Sequence, residues 1–266
     1  MIFHSSFEYC YLWLPLIGFF TGLIATMTGG GGGFVILPVL ILLFKVPAQI
    51  AVTTSLAATL PVCIVGSVGH YRNGNTDIRT GLVFVFAGII GALCGAGLTK
   101  LMNSRQLKIC FGIYSILIAL LMIFNNWKKK IAEIRGSTTS GESQWQKTAR
   151  SSFFGLFAGV ITGTFGTSGT APVLAGLLTM RMPVKIVIGT SLLVVCANTI
   201  SALGAHFLVG EIDLTLVYFL IAGAITGAVI GPRLLAGANI DIAERPIRLW
   251  YALGMTIFGI LMIIIK

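Results

Sequence analysis

Hydroxyl side chains gather at two places where they could serve a charged ligand. Thr53-Thr54-Ser55 comes after the run Gly29-Gly30-Gly31-Gly32-Gly33-Phe34, and Thr190-Ser191 comes after Gly166-Thr167-Ser168-Gly169-Thr170. A hydroxyl can donate to an oxyanion. A helix that starts at a glycine break adds free backbone N–H groups and the positive end of its dipole. Together, Gly31, Gly32, Gly33, Phe34, Thr53, Thr54, Ser55, Gly166, Thr167, Ser168, Gly169, Thr170, Thr190 and Ser191 are therefore expected to bind a small anion, replacing part of its hydration. No Lys or Arg lies deep in an apolar span, so no cationic clamp opposes release. Any one of these hydroxyls could instead bond a preceding helical carbonyl or join two helices. Their duplication beside both breaks favours the ligand reading for the set.

Four titratable residues also repeat. His70 and His206 occupy matching positions, as do Asp77 and Asp213. Histidine titrates near neutral pH, which makes the four candidates for coupling to a proton. Their places at helix ends followed by polar turns favour interfacial hydrogen bonding for the histidines and helix capping for the aspartates.

The glycines dictate the elements that must carry these groups. Five consecutive glycines cost about 1 kcal/mol each relative to alanine in a helix, so a continuous helix through Gly29–Gly33 is not expected. Two half-helices are expected there, Trp13 to Thr28 and Phe34 to Phe44, meeting near the middle of a membrane. In hydrocarbon such a break must hide against protein or line a wet cavity. A nucleotide-binding loop is excluded, since no acidic partner or Gly-Lys-Ser/Thr ending supports one.

Composition fixes the medium. With 56% hydrophobic residues, 10% charged residues and a mean hydropathy of +0.96, the repeated apolar spans belong in a bilayer. The net charge of +10 is spread between those spans rather than over a soluble face, which argues against nucleic acid. Five cysteines, Cys10, Cys63, Cys94, Cys110 and Cys196, make no CxxC and no cluster with histidine, so no metal or redox site is expected. No nucleophile, base and orienting residue stand at an enzymatic spacing, and no organic cofactor is implied. The N-terminus lacks the basic residues of a secretory leader, so the first apolar segment is expected to be retained.

The chain repeats itself. Pro183, Thr190-Ser191, His206, Gly210 and Asp213 each follow Pro47, Thr54-Ser55, His70, Gly74 and Asp77 by 136 residues (for example 206 − 70), and Gly155–Gly159 follows Gly18–Gly22 by 137 (155 − 18). Each half should hold a glycine-broken pair of short helices and three longer ones, with Ile50–Gly69, Ile78–Leu101 and Gln106–Phe124 as the long spans of the first. The expected fold is an all-α polytopic membrane protein: a first repeat over 12–124, a cytoplasmic linker over 125–150 and a second repeat over 151–264. An odd number of segments per half inverts the second repeat relative to the first. Arg72, Arg79, Lys128, Lys129, Lys130, Arg135, Lys147, Arg150, Arg181, Lys185, Arg233, Arg245 and Arg248 then share one side, against Lys45, Lys100, Arg105, Lys108 and Lys266 on the other. The positive-inside rule places the linker in the cytoplasm and both termini outside.

These motifs carry a family resemblance. Gly29–Pro38, Thr53-Thr54-Ser55, Gly166–Pro172 and Gly189-Thr190-Ser191 resemble the TauE/SafE family of sulfite and organosulfonate exporters, over about residues 12 to 264. The resemblance implies a permease of the bacterial inner membrane for sulfur-containing anions. The second break holds Thr167, Ser168 and Thr170 where the family often has a denser glycine run, a departure that bears on substrate size and affinity. The expected function is secondary transport of a small oxyanion, sulfite or a short organosulfonate, outward across the cytoplasmic membrane. A passive anion channel, or an uptake permease for another small sulfur-containing anion, is the alternative. Expected partners are the anion, the bilayer and a coupling proton or other ion; no nucleic acid, metal or cofactor is expected.

Overall fold

The structure, a computed structural model, describes residues 2–135, 144–180, 182–208, 210–237 and 240–265. Gly136 to Gly141, Arg181 and Lys266 lie outside the described residues, as do the side chains of the basic residues between Lys128 and Lys147 and of Arg245 and Arg248. A two-residue strand β1 (Ile2–Phe3) and a 3-10 turn (Tyr9–Trp13) lead into α1 (Leu14–Thr28), α2 (Gly33–Leu42), α3 (Ala48–Arg72), α4 (Ile78–Leu101) and α5 (Ser104–Arg135). Then come α6 (Gln144–Phe165), α7 (Thr170–Leu178), α8 (Val184–Phe207), strand β2 (Ile212–Asp213), α9 (Leu214–Gly237) and α10 (Ile240–Ile264).

Six described segments are long and apolar enough to cross a membrane: Tyr9–Thr28, Ala48–Arg72, Ile78–Leu101, Ser104–Leu121, Val184–Phe207 and Leu214–Leu235. The protein is an all-α polytopic membrane protein, and its burial pattern agrees. Large apolar side chains such as Phe20, Phe86, Leu117, Phe153 and Ile200 are exposed, while threonines, serines, Asn198 and both of the repeated histidines are buried. That is the reverse of a water-soluble surface, and it suits an exterior solvated by lipid.

Small residues let the helices touch. A Cβ on Gly91 of α4 would lie 2.1 Å from the carbonyl oxygen of Leu156, and one on Gly159 of α6 would lie 2.0 Å from that of Gly88. Between α1 and α9 the same closeness recurs, at Gly18 (2.2 Å from Leu220 O) and Gly227 (2.1 Å from Phe19 O). Lipid gives no hydrophobic push between helices, so association rests on such close backbone packing. Helices that are remote in the chain are thereby paired, α1 with α9 and α4 with α6. Beneath them, Leu14, Phe34, Leu40, Leu56 and Phe111 belong to one continuous apolar core.

Two features depart from the expected boundaries. α5 runs on past Phe124 to Arg135, because no glycine or proline lies between Phe124 and Gly136. β1 pairs in parallel with β2, Ile2 opposite Ile212 and Phe3 opposite Asp213, which joins the start of the chain to the segment that opens α9.

Candidate anion site

The site is built from the two backbone breaks. α1 ends at Gly29 (φ +79°), and Gly31 (φ +64°) and Gly32 (φ +91°) turn the chain into α2. Gly166 (φ +63°) and Gly169 (φ +52°) do the same between α6 and α7. These left-handed values disfavour a Cβ. The residues just ahead of α2 and α7, Gly32 and Gly169, have no side chain with which to cap them. The breaks touch: the Gly33 N–H donates to Ser168 Oγ at 3.2 Å, and Thr170 Oγ1 donates to the Gly30 carbonyl at 3.0 Å.

Hydroxyls from the long helices hold each break from the side. Ser55 Oγ of α3 donates to the Gly166 carbonyl at 3.1 Å, and Ser191 Oγ of α8 donates to the Gly29 carbonyl at 3.0 Å. Both carbonyls stand just past a helix C-terminus, where the helix itself offers no donor. Each serine serves the break of the other half of the chain. Gly31 sits where these groups converge: a Cβ there would lie 2.8 Å from both Cys63 Sγ and Ser168 Oγ and 2.9 Å from Val195. Gly31→Leu is therefore expected to abolish tight closure of the junction, seen as a lower melting temperature and lost binding in detergent-purified protein.

The threonines lie further out and do related work. Thr54 Oγ1 accepts the Asp213 N–H at 3.2 Å, and Thr190 Oγ1 accepts the Asp77 N–H at 2.9 Å. Thr53 Oγ1 donates to the carbonyls of Ile50 and Glu211. Asp77 in turn caps α4, accepting from the N–H groups of Arg79 (3.0 Å) and Thr80 (3.3 Å), and Asp213 accepts from those of Thr215 (3.0 Å) and Ser5 (3.3 Å).

The histidines pin the helix ends beside the breaks. His70 Nε2 is 2.9 Å from the Thr26 carbonyl and His206 Nε2 is 2.7 Å from the Gly163 carbonyl. A carbonyl only accepts, so each Nε2 carries the proton. Phe34 is buried at the start of α2, with its ring 6.4 Å from that of Phe111 and 6.1 Å from that of Phe258.

Several buried polar side chains lack a hydrogen-bond partner, among them Ser115 and Thr199. Thr167 Oγ1, at the second break, has no hydrogen-bond partner although the residue is 2% exposed. Asn198 of α8 is fully buried, and neither its amide oxygen nor its amide nitrogen has a partner. Such orphans cost about 1–3 kcal/mol each, and they mark donors available to a ligand. Reading the sequence for hydroxyls misses Asn198; the signal that finds it is an amide inside an apolar span, since polar residues in membrane helices mark function. Among the described residues no Lys or Arg is buried, and no group of three or more His, Cys, Asp or Glu could hold a metal ion.

A helical, polytopic chain whose interior holds two glycine-broken helix starts and spare polar groups belongs to the class of membrane transporters for small anions. The sulfite exporter TauE/SafE family matches residues 14–262, and the chain belongs to that family. It is similar to "Probable membrane transporter protein YdhB" of Bacillus subtilis (strain 168), 28% identical over 220 residues covering 82% of this chain and 87% of the relative. It is also similar to "Probable membrane transporter protein YunE" of the same organism, at 25% identity over 82% of this chain and 86% of the relative. "Probable membrane transporter protein MJ0441" of Methanocaldococcus jannaschii is 22% identical over 99% of this chain and 100% of the relative. No solved structure matches the chain. Membership makes the protein a membrane transporter rather than an enzyme.

Proposed function

We propose that the chain is a secondary transporter that carries sulfite or a short organosulfonate outward across the cytoplasmic membrane. Its halves, 12–124 and 151–264, act as inverted repeats joined by a cytoplasmic linker at 125–150, with both termini outside. The observation that carries the reading is the meeting of two glycine-led helix starts, at Gly33 and Thr170, beside the partnerless hydroxyl of Thr167. Helix N-termini favour an anion, and with no buried cation among the described residues its release is unhindered.

The mechanism follows from the hydrogen bonds that close the junction. An arriving anion takes over donors that now satisfy the protein itself, the Gly33 N–H that serves Ser168 Oγ and the Thr170 hydroxyl that serves the Gly30 carbonyl. That exchange loosens one break from the other and lets the halves rock about the site, exposing it to each side in turn. An inside-negative potential favours outward movement of an anion by about 2.3 kcal/mol per charge per 100 mV. His70 and His206, which hold the helix ends beside both breaks, together with Asp77 and Asp213, are the groups through which a proton would be coupled.

The test is flux in proteoliposomes, comparing sulfite, sulfate, thiosulfate, short sulfonates and chloride at controlled pH and voltage. Saturable flux of sulfite or a sulfonate, with labelled substrate drawn against its gradient by countertransport, is the expected result. Thr167→Val should weaken half-saturation about tenfold, the worth of roughly one hydrogen bond to a charged ligand. Large unitary currents without countertransport would replace the carrier with a channel. No selective anion flux from folded protein would sink the reading.

A further inference from the structure

A second feature lies away from the breaks, in a groove between α3 and α9 with a volume of about 310 Å³. Its trough is apolar, formed by Ile64 and Val68 of α3 and Val229 and Pro232 of α9. Arg72 and Arg233, one from each helix, line one end. Ile64 and Val68 are 44% and 45% exposed, so the trough opens on the face that meets lipid. Both arginines are exposed, and among the described residues neither is held by an acidic side chain.

The arginine pair is not repeated in the other half of the chain. By the repeat offset of 136, the positions matching Arg72 and Arg233 in the other half are Leu208 (72 + 136) and Gly97 (233 − 136), which carry no charge. A chain-like apolar trough ending in two guanidinium groups fits one chemistry, a phosphate with no cation of its own joined to a hydrocarbon chain. A free anion needs the arginines but not the trough, and a neutral lipid needs the trough but not the arginines. We propose that this groove is a docking site for an anionic phospholipid, with the acyl chain along Ile64, Val68 and Val229 and the phosphate between Arg72 and Arg233. Arginine suits the role because its planar fork binds phosphate oxygens in pairs.

Native mass spectrometry of the detergent-purified full chain tests it, using phosphatidylglycerol and phosphatidylcholine of equal chain length. Phosphatidylglycerol should be retained preferentially. Arg72→Gln and Arg233→Gln should each lower that retention about fivefold, and the pair about twenty-five-fold, with little change for phosphatidylcholine. Val68→Trp, which fills the trough and leaves both arginines, should also expel phosphatidylglycerol, and it decides the matter alone if the arginine pair does not fold. Equal retention of the two lipids, undiminished binding to the arginine pair or to Val68→Trp, or displacement by millimolar inorganic phosphate would each overturn the proposal. The readout is lipid retention and not flux, so its failure leaves the transport reading untouched.

Discussion

Gly91→Leu is expected to abolish assembly of the protein, whereas Gly97→Leu, six residues on in the same helix, is expected to leave it intact. A Cβ at Gly91 would meet the Leu156 carbonyl oxygen at 2.1 Å and the Val160 nitrogen at 2.9 Å, both backbone atoms of α6. A carbon–oxygen contact relaxes near about 3.3 Å, so α4 and α6 would have to part by about 1.2 Å for a single methyl group and further for leucine. No side chain can swing aside to spare them. Parting would also strain the reciprocal contacts at Gly159 and Gly163, which face the backbone of α4 at 2.0 and 2.1 Å. The expected loss exceeds about 3 kcal/mol, at the upper end for overpacking. At Gly97 an added Cβ meets nothing within 4 Å, which isolates packing from helix propensity. Thermal melting followed by size-exclusion chromatography reads the result. Equal behaviour of the two variants would show that the α4–α6 contact does not hold the molecule together.

The second large effect concerns Thr54 and Thr190. Each hydroxyl oxygen accepts a backbone N–H, from Asp213 and Asp77 respectively, and so fixes the start of a helix that belongs to the other half. Thr54→Val and Thr190→Val keep the shape and leave those N–H groups without a partner, at a cost of about 1–3 kcal/mol each. The double variant is expected to melt lower than either single one and to need at least about tenfold more of the transported anion for half-maximal flux. Serine at each position retains the hydroxyl and should restore both. Unchanged half-saturation in all the valine variants, with melting lowered, would make these hydroxyls purely architectural.

Much of this arrangement is legible in the residues themselves, and the reason is local chemistry. Five glycines in hydrocarbon can only be a break, and α1 and α2 flank it within two residues of the expected bounds at Thr28 and Phe34. Asp77 reads as a cap because an aspartate ahead of an apolar run is one, and it does cap α4. What the residues do not reveal is whom they touch. Ser55 and Ser191 read as donors, yet their acceptors lie 111 and 162 residues away in the other break, and nothing in a serine names its carbonyl. β1 is invisible to pattern because two residues carry no period. Asn198 escapes because its burial against Gly88 of α4 is a tertiary fact.

The pairing of α1 with α9 also bears on how the chain is made. Gly18 and Gly223, whose added Cβ atoms would strike Leu220 O and Pro15 O, are 205 residues apart (223 − 18). At about 5–20 residues per second, a ribosome takes about 10–40 s to supply the second after the first. Throughout that interval α1 must reside in the insertion machinery or in lipid with its glycine stripe bare, and the β1–β2 clasp cannot close. Biogenesis is thus obliged to protect the earliest helix until nearly the last has been delivered.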